Sequence, residues 1–176
     1  MVTTGTAALV MAVFTGCLTT VRYVDGLNDL TALPDVCASP ALSRNRLARF
    51  ETPLGMPRTV DADSVSCSFH SPGNGRTEVM IDLTKLAGSR SATRRLKGEA
   101  PDSGTESTQL GDEGIRYPFE EFRSGEILGI AVESRIDNIL LRVRFGRDES
   151  LGTPEFAGLQ ALASELVQEL EAQKPR

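Results

Sequence analysis

A chain of 176 residues, 40% hydrophobic and 24% charged, can hold one domain plus a tail and bury a core without a metal or a dense disulfide framework. A formal net charge of −5 and a pI of about 5.0 count against nucleic acid as a partner. With no Trp and two Tyr, the chain also has few of the usual stacking and interface anchors.

Residues 1–21 contain no Asp, Glu, Lys or Arg; the first charge is Arg22. The apolar part, from Ala7 to Leu18, suits the core of a signal peptide (about 7–15 residues) and falls short of the roughly 20 residues of a spanning helix. Its end, Phe14-Thr15-Gly16-Cys17, resembles a bacterial lipobox: Leu, a small residue, Gly or Ala, then Cys. That resemblance implies cleavage before Cys17 and a diacylglycerol on its thiol. Residues 1–16 are then the signal peptide, 17–33 a tether and 34–176 a globular domain. Phe14 replaces the usual Leu, and no basic residue precedes the run; a start codon farther upstream would supply one. An uncleaved membrane anchor, a plain secretion signal and a structural helix of a cytosolic protein are the other readings. The cysteine count bears on the choice: acylation of Cys17 leaves Cys37 and Cys67 free to pair.

Ser39-Pro40 starts a helix expected to reach about Phe50, with Leu42, Leu47 and Phe50 toward the core. Thr52 to Arg58 reads as a loop. A hairpin follows: Val65, Cys67 and Phe69 alternate with serines, "SPGNG" turns the chain, and Val79, Ile81 and Leu83 face the same core. Cys67 points inward, where the N-terminal helix can bring Cys37. A Cys37–Cys67 bridge would close about 31 residues, worth about 3.5–4 kcal/mol of chain entropy. Two buried thiols are the alternative.

Asp35-Val36-Cys37 before a helix-like stretch, and Cys67-Ser68-Phe69 in a strand-like one, resemble a family of actinobacterial cell-envelope lipoproteins of unknown function. Their mature domain opens with Asp-Pro-Cys and a helix and has Cys-x-Trp in its first strand. Val36 stands at the Pro position and Phe69 at the Trp position. Over about residues 34–170 the resemblance implies a disulfide between Cys37 and Cys67, a small α+β sandwich and no known catalytic residues.

Residues 87–114 read as a polar excursion with one short helix near Ala92 to Lys97. Three strands follow. Ile115, Tyr117 and Phe119 alternate; "EILGIAVES" is apolar on both faces; Ile139, Leu141, Val143 and Phe145 share a side, after a "RIDN" turn. A long C-terminal helix, capped by Thr153 and opened by Pro154, aligns Phe156, Leu159, Leu162, Leu166 and Leu170. Its other face carries Glu165, Glu169 and Glu171, expected in solvent. Gly129 and Ala131 offer a trough for it. The fold class expected is α+β: a single antiparallel sheet of about five strands, packed by an N-terminal helix and a long C-terminal helix.

Sites of chemistry are sparse. His70, beside Ser71, reads as a solvated loop histidine, and no GxSxG elbow exists. One histidine and cysteines without CxxC spacing build no zinc site. Asp61 and Asp63 lack EF-hand spacing, and Gly73-Asn74-Gly75 precedes no helix, so it is a turn. Arg90, Arg94, Arg95 and Lys97, with Lys85 nearby, form the one basic cluster. It reads as a solvated face, or a contact for anionic phospholipid or wall polymer. The function expected is a lipid-anchored or secreted, non-enzymatic envelope protein, a binding or accessory module. Its partners are the membrane through the anchor and a protein or small-molecule ligand, with no cofactor, metal or nucleic acid. A secreted hydrolase built from dispersed carboxylates would instead show facing carboxyl groups in a cleft, or a carboxyl with a raised pKa. A cytosolic interaction domain with reduced cysteines is the third possibility.

Overall fold

The computed structural model describes residues 32–44, 58–70, 77–101, 104–121, 127–147 and 153–174. After a 3-10 turn at Val36–Ala38, helix α1 (Pro40–Arg44) leads to strands β1 (Arg58–Asp61), β2 (Ser64–His70) and β3 (Thr77–Lys85). Helix α2 (Ser89–Glu99) carries the chain to the far edge. There β4 (Glu106–Thr108), β5 (Glu113–Glu121), β6 (Ile127–Ile136) and β7 (Ile139–Arg147) return toward β3, and α3 (Thr153–Glu171) closes the fold. The strands form one antiparallel sheet in the order β1-β2-β3-β7-β6-β5-β4. The fold is therefore α+β, with seven strands in place of the expected five or so.

The two additional strands are the edges. β1 begins in the stretch expected to be a loop, and β4 lies within the expected polar excursion. Both are short and polar, and the side-chain partners they have across the strand, Ser64 for Asp61 and Arg116 for Glu106, are polar too, so no apolar alternation marks them. The α2 helix is longer than the expected Ala92 to Lys97. Of the expected Ser39-to-Phe50 helix, the part beyond Arg44, with Leu47 and Phe50, lies outside the described residues, as do Cys17 and Gly73-Asn74-Gly75.

Alternation along the strands divides the side chains between two faces. On one face, Val65, Cys67, Phe69, Val79, Ile81, Leu83, Ile130, Val132, Ile139, Leu141, Val143 and Phe145 join a single buried cluster. Over it lies α3, with Leu159, Leu162, Ala163, Leu166, Val167 and Leu170 all buried. The four leucines alone contribute about 6–12 kcal/mol gross, an upper estimate because unfolded chains are partly collapsed. Val36, Ala41 and Leu42 cover the β2–β3 side of this face.

On the acidic side of α3, Glu171 is exposed as expected, but Glu165 and Glu169 are engaged. Glu165 lies 3.2 Å from Arg44, and Glu169 lies 3.6 Å from it. Glu169 also accepts from the buried Ser39 hydroxyl, whose oxygen in turn accepts from the Ala41 amide. These carboxylates hold the N-terminal segment against α3.

The opposite face holds a much smaller apolar cluster, Ala92, Leu96 and Leu140 with Leu86 and Ile115, where α2 packs on β6 and β7. Gly129 and Ala131 belong to this face, because their neighbours Ile130 and Val132 point into the α3 core. The trough expected for the C-terminal helix is thus on the other side of the sheet. Phe119 fills it at Gly129, where an added Cβ would stand 2.6–2.8 Å from the ring.

A two-residue turn with Asp137 at φ 51° joins Ile136 to Ile139 and fixes the β6–β7 register. Before β5, Gly111 has φ 61°, and an added Cβ would come within 2.5 Å of the Arg135 carbonyl. Only glycine allows β5 to start so close to β6.

Candidate functional site

Polar side chains concentrate on the α2 face, and strand register explains their pairing. Glu133 and Arg142 stand opposite each other on β6 and β7. Glu133 is only 1% exposed, and its carboxylate accepts from Arg142 Nε at 2.7 Å and from the Tyr117 hydroxyl. The other end of the Arg142 guanidinium reaches Glu99 of α2, which Arg95 also holds at 2.7 Å. Asp82 lies opposite Arg142 on β3 but takes its ion pair diagonally from Arg144, at 2.9 Å, and accepts from Ser66. A band of ionic and hydrogen-bonded groups therefore crosses β2, β3, β7, β6 and β5.

The electrostatics of this band are those of engaged groups. Burial and the hydrogen bond to Glu133 push the Tyr117 phenol well above its ordinary range. Burial alone would lower the Arg142 pKa, but the hydrogen bond to Glu133 and its charge reverse this and raise it. Burial likewise disfavours the Glu99 carboxylate, yet the Arg95 hydrogen bond and the charges of Arg142 and Arg95 leave its pKa lowered. The space enclosed by Asp82, Thr84, Arg95, Glu99, Glu133, Leu140 and Arg142 is about 20 Å³, room for about one water. Two carboxylates do converge here, but on a guanidinium, with no room for a substrate between them.

A larger opening lies beside this band. Ser89, Arg90, Thr93 and Arg94 of α2 and Arg135 of β6 line an open cleft of about 590 Å³, within the usual size range for small-molecule sites. Arg135 is anchored at its floor, 15% exposed, with Asp112 at 3.2 Å, Glu113 at 3.3 Å and a bond to the Asp137 carbonyl at 3.2 Å. Glu113 is itself held by Lys97 at 3.3 Å. Its burial is outweighed by hydrogen bonds from Lys97, Thr93 and Arg135, so its pKa is lowered. Arg94 makes no ion pair among the described residues. Gly88, which precedes α2, provides no side-chain cap, so the first turn opens on this cleft without one.

The basic cluster read from the sequence is therefore split. Arg90 and Arg94 line the cleft, while Arg95 pairs with Glu99, Lys97 with Glu113, and Lys85 with Asp63 at 3.0 Å. Arg135, from a strand 40 positions on, was not part of that cluster. Its "RIDN" turn carried the signal: register counted back from it puts Arg135 opposite Leu140, on the face where α2 packs.

Cys37 and Cys67 are both thiols here and are hydrogen-bonded to each other. Burial first, then the bond to Cys37, raises the Cys67 pKa far above its ordinary value. The 3-10 turn brings Cys37 onto β2 and β3, as the inward direction of Cys67 requires. Asp61 and Asp63 flank the exposed β1–β2 turn, and no group of three or more potential metal ligands occurs among the described residues. His70 ends β2 opposite Glu78.

No protein-family model matches the chain, and comparison with curated proteins and with solved structures returns no match.

Proposed function

We propose that this chain is a non-enzymatic cell-envelope protein, held at the membrane by a lipid on Cys17 or else secreted, and working as a binding or accessory module. The observation that carries the reading is the contrast within the α2 face. Its buried carboxylates are committed to Arg142 and Arg144, while the adjoining cleft stays open and is lined by hydroxyl and guanidinium groups. Such an arrangement favours holding a ligand over proton transfer, because Glu99 is stabilised as a carboxylate and Glu133 Oε1 accepts from both Arg142 and Tyr117.

The envelope location rests on the lipobox-like Phe14-Thr15-Gly16-Cys17 and on the resemblance carried by Cys37 and Cys67 to the actinobacterial lipoproteins. Two facing thiols in the core are compatible with the disulfide that this resemblance implies, formed in an oxidising compartment. Among the described residues no helix is long and apolar enough to cross a membrane.

Metabolic labelling with a radioactive fatty acid in an actinobacterial host tests the anchor. Label on the wild type that disappears in Cys17→Ser, together with release from the membrane fraction, is the expected result. A Cys17→Ser protein that labels and fractionates like wild type overturns it.

A further inference from the structure

The cleft formed by Ser89, Arg90, Thr93, Arg94 and Arg135 has a composition that selects among ligands. Arg90 and Arg94 are four residues apart on α2, where like charges repel and cost the helix a few tenths of a kcal/mol. Arg90, Arg94 and Arg135 nonetheless line one opening, on a chain whose formal charge is −5.

The three guanidinium groups also differ in freedom. Arg135 is fixed by two carboxylates and a carbonyl, so it is preorganised at the floor of the cleft. Arg94 has no ion pair among the described residues and is exposed at the rim. A guanidinium matches the oxygens of a phosphate through paired N–H donors, and the hydroxyls of Ser89 and Thr93 line the same space.

We infer that this cleft binds an organic phosphate. The phosphate lies among Arg90, Arg94 and Arg135, and the rest of the molecule lies in the remaining volume. This deepens the binding-module reading and rests on it. A free phosphoester and a phospholipid headgroup present the same chemistry, and the experiment separates them.

Titration calorimetry on the full chain in detergent, at physiological salt, uses glycerol 3-phosphate as the probe, with inorganic phosphate and glycerol alongside. Flotation with phosphatidylglycerol vesicles, against phosphatidylcholine vesicles, forms the second arm. Glycerol 3-phosphate should bind and glycerol should not. Arg90→Gln and Arg94→Gln should each weaken binding about tenfold, the loss of roughly one charge-assisted hydrogen bond. Arg95→Gln, whose side chain is engaged by Glu99 outside the cleft, should bind like wild type. Capture by phosphatidylglycerol that Arg90→Gln and Arg94→Gln abolish, without binding of the free phosphoester, identifies the headgroup as the source.

Equal losses in Arg90→Gln, Arg94→Gln and Arg95→Gln would reveal mere charge attraction and overturn the proposal. So would the absence of both phosphoester and vesicle binding. Fatty-acid labelling at Cys17 succeeds or fails independently of either result, so loss of the cleft proposal and loss of the anchor are told apart.

Discussion

The two faces of the sheet are built from the same strands but solve different problems. Toward α3 the strands present aliphatic, aromatic and cysteine side chains to a helix with four fully buried leucines, and the layer is closed. Toward α2 they present Asp82, Glu133, Arg142, Arg144 and Tyr117, and the covering helix seals only Ala92, Leu96 and Leu140. Apolar burial is non-directional, so the first face tolerates imprecision in detail. Ionic burial is directional, so the second must place each partner within hydrogen-bond reach. A closed apolar layer and an ionic layer thus occupy opposite sides of one sheet.

Substitutions on each face probe this division. The largest effect belongs to the closed face. Leu166→Ala leaves a cavity under α3 and should cost about 2–5 kcal/mol in denaturant unfolding. On the same helix, Glu169→Ala should cost about 0.5–1.5 kcal/mol, because Ser39 loses its acceptor and Arg44 a partner. Equal costs would mean that the leucine stripe does not carry the core.

Next comes the polar face. Glu133→Ala strands the Tyr117 hydroxyl and one side of Arg142, and should cost about 2–4 kcal/mol, somewhat less than a fully broken buried pair because Glu99 remains. Combining Glu133→Leu with Arg142→Met should recover most of that loss. A single-mutant cost near zero would show that the buried pair contributes nothing to stability.

The smallest effect is one of pH. Glu99 and Glu113 have folded pKa values lowered below their unfolded ones, so each contributes stability that is full above the unfolded pKa of about 4.3. That contribution disappears as pH falls through the folded value. Acid should therefore loosen the α2 face first, seen as faster amide exchange in α2 than in α3 between about pH 5 and pH 3. Glu99→Gln should flatten this acid limb by removing the contribution at pH 7, so that the variant is less stable than wild type at neutral pH and the two converge in acid. Uniform loosening of both helices in acid would remove the distinction between the faces.

Legibility in the sequence follows the same division. The α3 face could be read because burial imposes a period: Val65, Cys67 and Phe69, then Val79, Ile81 and Leu83, and the leucines of α3 all fall where alternation or the helical wheel puts them. The edge strands could not, since Arg58–Asp61 and Glu106–Thr108 are short, carry few apolar residues and take polar partners from the next strand. Glu133 lies in "EILGIAVES", the stretch whose two faces both read as apolar. Its burial depends on Arg142 across a hairpin and on Tyr117 from the next strand, and single-residue hydropathy carries neither contact. Glu165 and Glu169 read as solvated for a related reason, because their partners Arg44 and Ser39 lie more than a hundred residues earlier. The cleft is the least legible feature, as it joins a helix and a strand that only the sheet order brings together.

The crossover through α2 has a consequence for how the chain acquires its fold. β1 to β3 form one local meander and β4 to β7 another, and they meet only where Thr77 to Lys85 pairs with Ile139 to Arg147. A ribosome finishes the first meander well before it has made β7, and until then the outer edge of β3 has no strand beside it. That edge carries Val79, Ile81 and Leu83, alternating residues of high strand propensity, and is open to pairing with another chain. Pairings so distant in sequence form late, after the loop-closure entropy has been met. The centre of the finished sheet is therefore the last seam to zip, and during synthesis it is the place most exposed to aggregation.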